Sequence, residues 1–205
     1  MQKTYLLLFL IGTLLLSNTN VGMLLDKGEA GFGFSSSTTL IPKKPSSGSQ
    51  IEKYRTIHAS LLLKSGLEFS FGHQKENNIN DYIGEKSDKK PFNYLSLSYY
   101  IKDKTYSLGI HITSYDGLKY ERKPKEFGAS FCLKNTKQKL TPYIKYTLRQ
   151  IYSKENLELI TYGGFLTLSK FIFSFSYSFP FHMPEEIALY NSKGSININA
   201  GIFLN

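Results

Sequence analysis

The stretch Phe171-Ile172-Phe173-Ser174-Phe175-Ser176-Tyr177-Ser178-Phe179-Pro180-Phe181 puts an aromatic ring at every odd position and, apart from Ile172 and Pro180, a serine at every even one. A period of two is the signature of a β-strand, whose side chains point alternately to opposite faces. A helix would smear these rings and hydroxyls over its whole circumference. The strand must therefore show one aromatic face to an apolar neighbour and one small polar face to something wet.

The same rhythm returns along the chain. Tyr106, Leu108, Ile110 and Ile112 interleave with Ser107, Gly109, His111 and Thr113. Phe127, Ala129, Phe131 and Leu133 interleave with Gly128, Ser130, Cys132 and Lys134. Ile196, Ile198, Ala200, Ile202 and Leu204 alternate with Asn197, Asn199, Gly201 and Phe203. Shorter runs start near Ile57, Leu67, Leu95, Ile144 and Ile160, and the least regular is Ala30, Phe32, Phe34 against Gly31, Gly33, Ser35. Ten strands are expected, or eight if that first run is not a strand and one of the weaker runs is lost with it.

The polar face separates the fold classes. A soluble sandwich usually carries Lys, Glu, Thr and Arg on its wet face. Here that face is Ser, Gly, Thr and Asn, while charges such as Lys75, Glu76, Asp81, Glu85, Lys86, Asp88, Lys89 and Lys90 gather between the runs. Small polar residues suit the inside of a narrow barrel, and a facing surface of apolar residues suits lipid.

Connection lengths add an independent signal. Thr38 to Lys53 is long and Lys64-Ser65 tight; Gln74 to Lys90 is long and Lys102-Asp103-Lys104 tight; Ser114 to Lys125 is long and Asn135 to Lys139 short. After the brief Ser153 to Asn156, Ser169-Lys170 is tight and His182 to Gly194 long. Membrane barrels alternate short periplasmic turns with long outer loops. The expected fold is an all-β, transmembrane, antiparallel up-and-down barrel with both termini in the periplasm. The last run should close on the first, because lipid offers no partner to an open sheet edge.

Ahead of the barrel, Met1 to Lys3 gives a basic start, Thr4 to Leu16 is almost wholly apolar, and Ser17-Asn18-Thr19-Asn20 breaks the run. The run falls short of the ~20 residues of a spanning helix and matches an export signal. Residues 1–22 are assigned to that signal, with cleavage as late as Ala30 left open, and residues 23–205 to the barrel.

The 205 residues carry a formal charge of +9, with 15 Tyr, 15 Phe and no Trp. Basic and acidic residues are mixed and form no stripe, which argues against a nucleic-acid partner. Tyr94, Tyr99, Tyr100, Tyr106, Tyr146, Tyr152 and Tyr162 fall near strand ends and are expected to form interfacial girdles. Cys132 is the only cysteine, so disulfide and thiolate-cluster chemistry are excluded within the chain.

The ending Asn199-Ala200-Gly201-Ile202-Phe203-Leu204-Asn205 resembles the carboxyl-terminal insertion signal of small bacterial outer-membrane barrels, a broad superfamily of opacity-type, OmpA-like and porin-like proteins. Asn199, Gly201 and Leu204 match the pattern, although that family usually ends on an aromatic residue. The resemblance implies docking of the last strand on the barrel-assembly machinery.

Alternation turns His58, Glu68, His111, Lys145 and Arg149 inward, and Glu68 is expected to pair with Lys145 or Arg149. No cofactor, metal site or catalytic grouping is expected: no helical metal spacing, phosphate loop or nucleophile elbow occurs. Lys43, Lys44, Lys53, Arg55, Lys119, Arg122, Lys123 and Lys125 put cations on the outer side, where lipopolysaccharide phosphates would meet them. The leading expectation is a structural or surface-interaction barrel. A narrow passive channel, favoured by a lumen with few bulky side chains, a rim-located lipid-modifying enzyme and a soluble secreted β-protein remain open beside it.

Overall fold

The computed structural model describes residues 21–42, 51–78, 92–116, 125–134, 140–150, 156–182 and 194–204. After a single 3-10 turn at Val21–Met23, the chain forms ten strands: β1 Gly31–Pro42, β2 Ile51–Leu62, β3 Leu67–Asn78, β4 Phe92–Lys102, β5 Tyr106–Asp116, β6 Lys125–Leu133, β7 Leu140–Gln150, β8 Asn156–Leu168, β9 Phe171–His182 and β10 Ser195–Leu204. Each pairs antiparallel with its sequence neighbours, and β1 pairs with β10, so the sheet is a closed barrel with no free edge. The irregular first run is thus a full strand, in register from Phe32 opposite Leu204 to Leu40 opposite Ile196.

The connections of two to four residues all lie at the end where β1 begins and β10 finishes, called here the terminal end; at the opposite, loop end every connection but the brief β7–β8 one is longer. Between β2 and β3, Gly66 adopts φ 89° and its N–H donates to Leu63 O at 2.9 Å. A side chain there would strike Tyr100 O at 2.5 Å, so both backbone shape and space require glycine. Ser169, at φ 56°, turns β8 into β9 in two residues, the geometry that matches strand twist in a tight hairpin.

The two faces separate as the alternation requires. On β4, Leu95, Leu97, Tyr99 and Ile101 point outward and are 39–60% exposed, while Tyr94, Ser96, Ser98 and Tyr100 are buried inside. Outward Leu, Ile, Phe and Tyr surround the whole barrel. Inward, hydroxyls and amides tie neighbouring strands: Thr113 donates to Ser96 at 2.9 Å, Thr39 to Asn197 at 2.7 Å, and Thr161 meets Ser178 at 2.7 Å.

Two expectations need correction. Tyr94 and Tyr100 take no part in an outer girdle, since both rings lie inside the barrel, whereas Tyr99, Tyr146 and Tyr162 are exposed outside. The alternation itself demands this, because Tyr94 and Tyr100 share parity with Ser96 and Ser98. The lumen is also not free of bulk. Met23, Leu62, Tyr100, Cys132, Phe165, Ile172 and Phe203 form a buried apolar cluster, with Tyr143 packed against it.

Glycine makes room for the inward rings. Gly72 faces Tyr94, Gly109 faces Tyr100, Gly128 faces His111 and Gly163 faces Tyr143 across neighbouring strands. A β-carbon on Gly72 would stand 2.1 Å from Tyr94 Cε1. Gly72→Ala must therefore expel the ring, and it is expected to destabilise the barrel by about 1–3 kcal/mol, the usual cost of overpacking. Urea unfolding followed by circular dichroism in micelles measures it; an unchanged midpoint would show that Tyr94 does not need this space.

Candidate functional site in the barrel lumen

The polar centre of the described lumen is Glu126, near the loop end of β6 and 3% exposed. Its Oε2 accepts from Arg149 Nε at 3.0 Å, Arg149 Nη2 at 2.8 Å and Tyr115 Oη at 2.8 Å. Its Oε1 lies 3.4 Å from His111 Nε2 and 3.6 Å from Lys145 Nζ. Adjacent strands supply all five groups: β5 gives His111 and Tyr115, β6 gives Glu126, and β7 gives Lys145 and Arg149. Inward residues of paired strands face each other directly, as Glu126 does Arg149.

Sequence reasoning joined Lys145 and Arg149 to the wrong carboxylate. Glu68 sits at the terminal end of β3, 1% exposed, and its Oε2 accepts from the Gly22 backbone N–H at 3.4 Å. Glu126 takes its place beside the two cations. The signal was in the sequence: extending the run Gly128, Ser130, Cys132 by one step toward the amino terminus puts Glu126 on the inward face.

From Arg149 a line of contacts follows the wall. The guanidinium carbon lies 5.7 Å from the Tyr115 ring centroid, within cation–π range. Tyr115 meets Tyr94 at 6.0 Å, and Tyr94 meets His58 at 5.4 Å between centroids. His58 Nε2 reaches Ser37 Oγ at 3.4 Å. Tyr94 on β4 can touch His58 on β2 because Gly72 on the intervening strand leaves the wall empty there. The band therefore ties β7 to β1 through five strands' worth of side chains, and it spends its charges on itself.

Catalytic chemistry finds little support in this arrangement. Among the described residues no carboxylate orients the Ser37–His58 pair, and His58 Nδ1 finds no hydrogen-bond partner there. Glu126 Oε2 already accepts three hydrogen bonds and its Oε1 faces His111 and Lys145, so the carboxylate is engaged with its charge partners. Among the described residues, no three His, Cys, Asp or Glu side chains converge as metal ligands would.

The other sequence-derived candidates scatter. Lys125 is exposed at the loop end of β6, and Arg55 is half-buried on the outward face of β2, opposite Thr38 and Lys75. Lys53 faces Leu40 in the β1–β2 ladder, and its side chain lies outside the described part. Lys43, Lys44, Lys119, Arg122, Lys123 and the girdle candidate Tyr152 lie outside the described residues. Asn199 is buried in the lumen and donates to Ser174 Oγ; Gly201 faces Ser35, and Leu204 is exposed outside opposite Phe32.

No family model and no curated protein matches the chain. Among solved structures, a porin refined at 1.8 Å is similar at 10% identity and a TM-score of 0.36, over 85% of this chain and 58% of that one. The chain thus spans little more than half the length of that porin. The beta domain of the Bordetella autotransporter Brka is similar at 10% identity and a TM-score of 0.42, over 85% of this chain and 98% of that one. Likeness at this identity concerns the barrel fold alone.

Proposed function

We propose that the chain is an integral outer-membrane barrel with a structural or surface-interaction role. The observation that carries this reading is a closed barrel with small polar side chains inside and a belt of exposed Leu, Ile, Phe and Tyr outside. A water-soluble barrel has the opposite requirement, since a contiguous exposed apolar surface of this extent drives aggregation. The belt also has a suitable height. From Phe171 to Phe181 the six outward residues of β9 cover ten steps, about 33 Å of strand and about 25 Å of axis at a ~40° tilt. That equals the ~25 Å apolar band of membrane barrels.

In this reading the terminal end faces the periplasm and the long connections face outward. Lys43, Lys44, Lys119, Arg122, Lys123 and Lys125 then stand at the height of lipopolysaccharide phosphates, with Lys53 and Arg55 at the upper edge of the belt. Asn199, Gly201 and Leu204 belong to the strand that the assembly machinery would receive. The reading is non-enzymatic, because the lumen groups neutralise one another. A narrow solute channel is disfavoured by the apolar cluster that fills the terminal end.

The test is fractionation of cells that express the protein. It is expected to stay in the membrane pellet through alkaline carbonate and to migrate faster on gels unheated than boiled. Release by carbonate, with no heat-dependent shift in mobility, would overturn the reading.

A further inference from the structure

We propose that Gly22–Asp26 is a plug that the exported protein retains, seated in the terminal end of the lumen and holding it shut. The inference builds on the membrane-barrel reading only in taking residues upstream of the plug to be a removable export signal. Its basis is a fit between a short segment and a socket prepared for it.

Met23 has no solvent exposure and belongs to one buried cluster with Leu62, Tyr100, Cys132, Phe165, Ile172 and Phe203. These six residues come from β2, β4, β6, β8, β9 and β10, so the cluster that holds this methionine gathers side chains from around the bore. Leu62, Tyr100, Phe165, Ile172 and Phe203 are bulky exceptions to the small polar residues of the inward face, gathered at this one end. An apolar patch inside a polar lumen has no use for water, and Met23 is what covers it.

Polar contacts fix the segment on either side. The Gly22 N–H donates to Glu68 Oε2 at 3.4 Å. A β-carbon on Gly22 would come within 2.3 Å of Tyr100 Cε2 and 3.0 Å of Glu68 Oε2, so only glycine fits this approach. Lys134 Nζ donates to Leu25 O at 2.6 Å and to Asp26 Oδ1 at 3.2 Å. The Asp26 N–H donates to Glu29 Oε2 at 2.7 Å, which folds the exit back toward β1. A buried methionine with a charged clamp after it is the anatomy of a stopper, and an export signal cut after Ala30 would discard it.

Cys132 supplies a native reporter, since it is the only thiol and lies in the cluster that Met23 completes. The full-length exported protein, purified in detergent micelles, is treated with a small charged methanethiosulfonate reagent and followed by intact mass. Local opening governs such labelling, so Met23→Gly and Lys134→Met are each expected to react about tenfold or more faster than the unmodified protein. Heat-dependent gel mobility identifies variants whose barrel is intact; if Met23→Gly fails that check, Lys134→Met, outside the cluster, carries the comparison. The same mass gives the mature amino terminus, expected at Gly22 or earlier, so that the Gly22 contact with Glu68 is kept. Equal labelling rates in the unmodified protein and the intact variants, or a terminus beyond Gly22, overturn the plug. Carbonate release would sink the membrane reading and leave these rates as they are, so the two failures are distinguishable.

Discussion

Ile110→Arg is expected to destabilise the barrel in lipid by about 2–4 kcal/mol, the cost of a guanidinium at the bilayer midplane of a strand-built barrel. Ile110 is 63% exposed, in the middle of the outward face of β5, with Tyr99 and Ala129 beside it. It has no part in the lumen, so the substitution leaves a cavity nowhere and removes no hydrogen bond. If the face were wet, arginine would be harmless or would improve solubility, because an exposed surface position normally tolerates such a change within about 0.5 kcal/mol. The sign and size of the effect thus report the solvent of the belt directly. Reversible urea unfolding in phospholipid vesicles measures it, and Ser114→Arg, higher on the same outward face, serves as the comparison with a much smaller loss. A neutral Ile110→Arg would remove the physical basis of the membrane reading.

Glu126→Leu is expected to cost about 3 kcal/mol. Removing one partner of a buried pair usually costs about 3–5 kcal/mol, because the charge left behind keeps its desolvation penalty without its compensation. Two cations are stranded here, Lys145 and Arg149, with side chains 14% and 38% exposed. The partial hydration open to Arg149 puts the loss at the lower end of the range. Tyr115 also loses its acceptor, and the contact line toward His58 loses its anchor. The double variant Glu126→Leu with Arg149→Leu is expected to recover part of the loss, since the guanidinium that donates two hydrogen bonds to Glu126 goes with its partner while Lys145 stays unpaired. Circular dichroism during urea unfolding in micelles follows both. Additive losses in the double variant would mean that Glu126 and Arg149 do not interact.

Much of the barrel was legible because strand alternation is local. Whether Phe173 or Ser174 faces out depends on residues two positions away, and so does the inward assignment of His58, Glu68, His111, Lys145 and Arg149. The irregular start at Ala30–Ser35 was harder to recognise, since Gly31, Gly33 and three consecutive serines weaken the rhythm. Closure identified it: β10 has a free edge until β1 covers it. Glu126 was within reach of the same local rule, one step beyond where the run appeared to begin.

What the sequence determined by itself is the two-faced strand and the polar character of the interior, both consequences of a period of two along the chain, while closure of β1 on β10 settled ten strands over eight. Which inward groups meet was decided only in three dimensions. Glu68 and Arg149 share a face but stand at opposite ends of the bore, and the direction and register of each strand set that depth. Leu62, Phe165, Ile172 and Phe203 look like isolated lapses of pattern along the chain. Antiparallel winding brings every one of them to the terminal end, where together they make the apolar socket that Met23 fills.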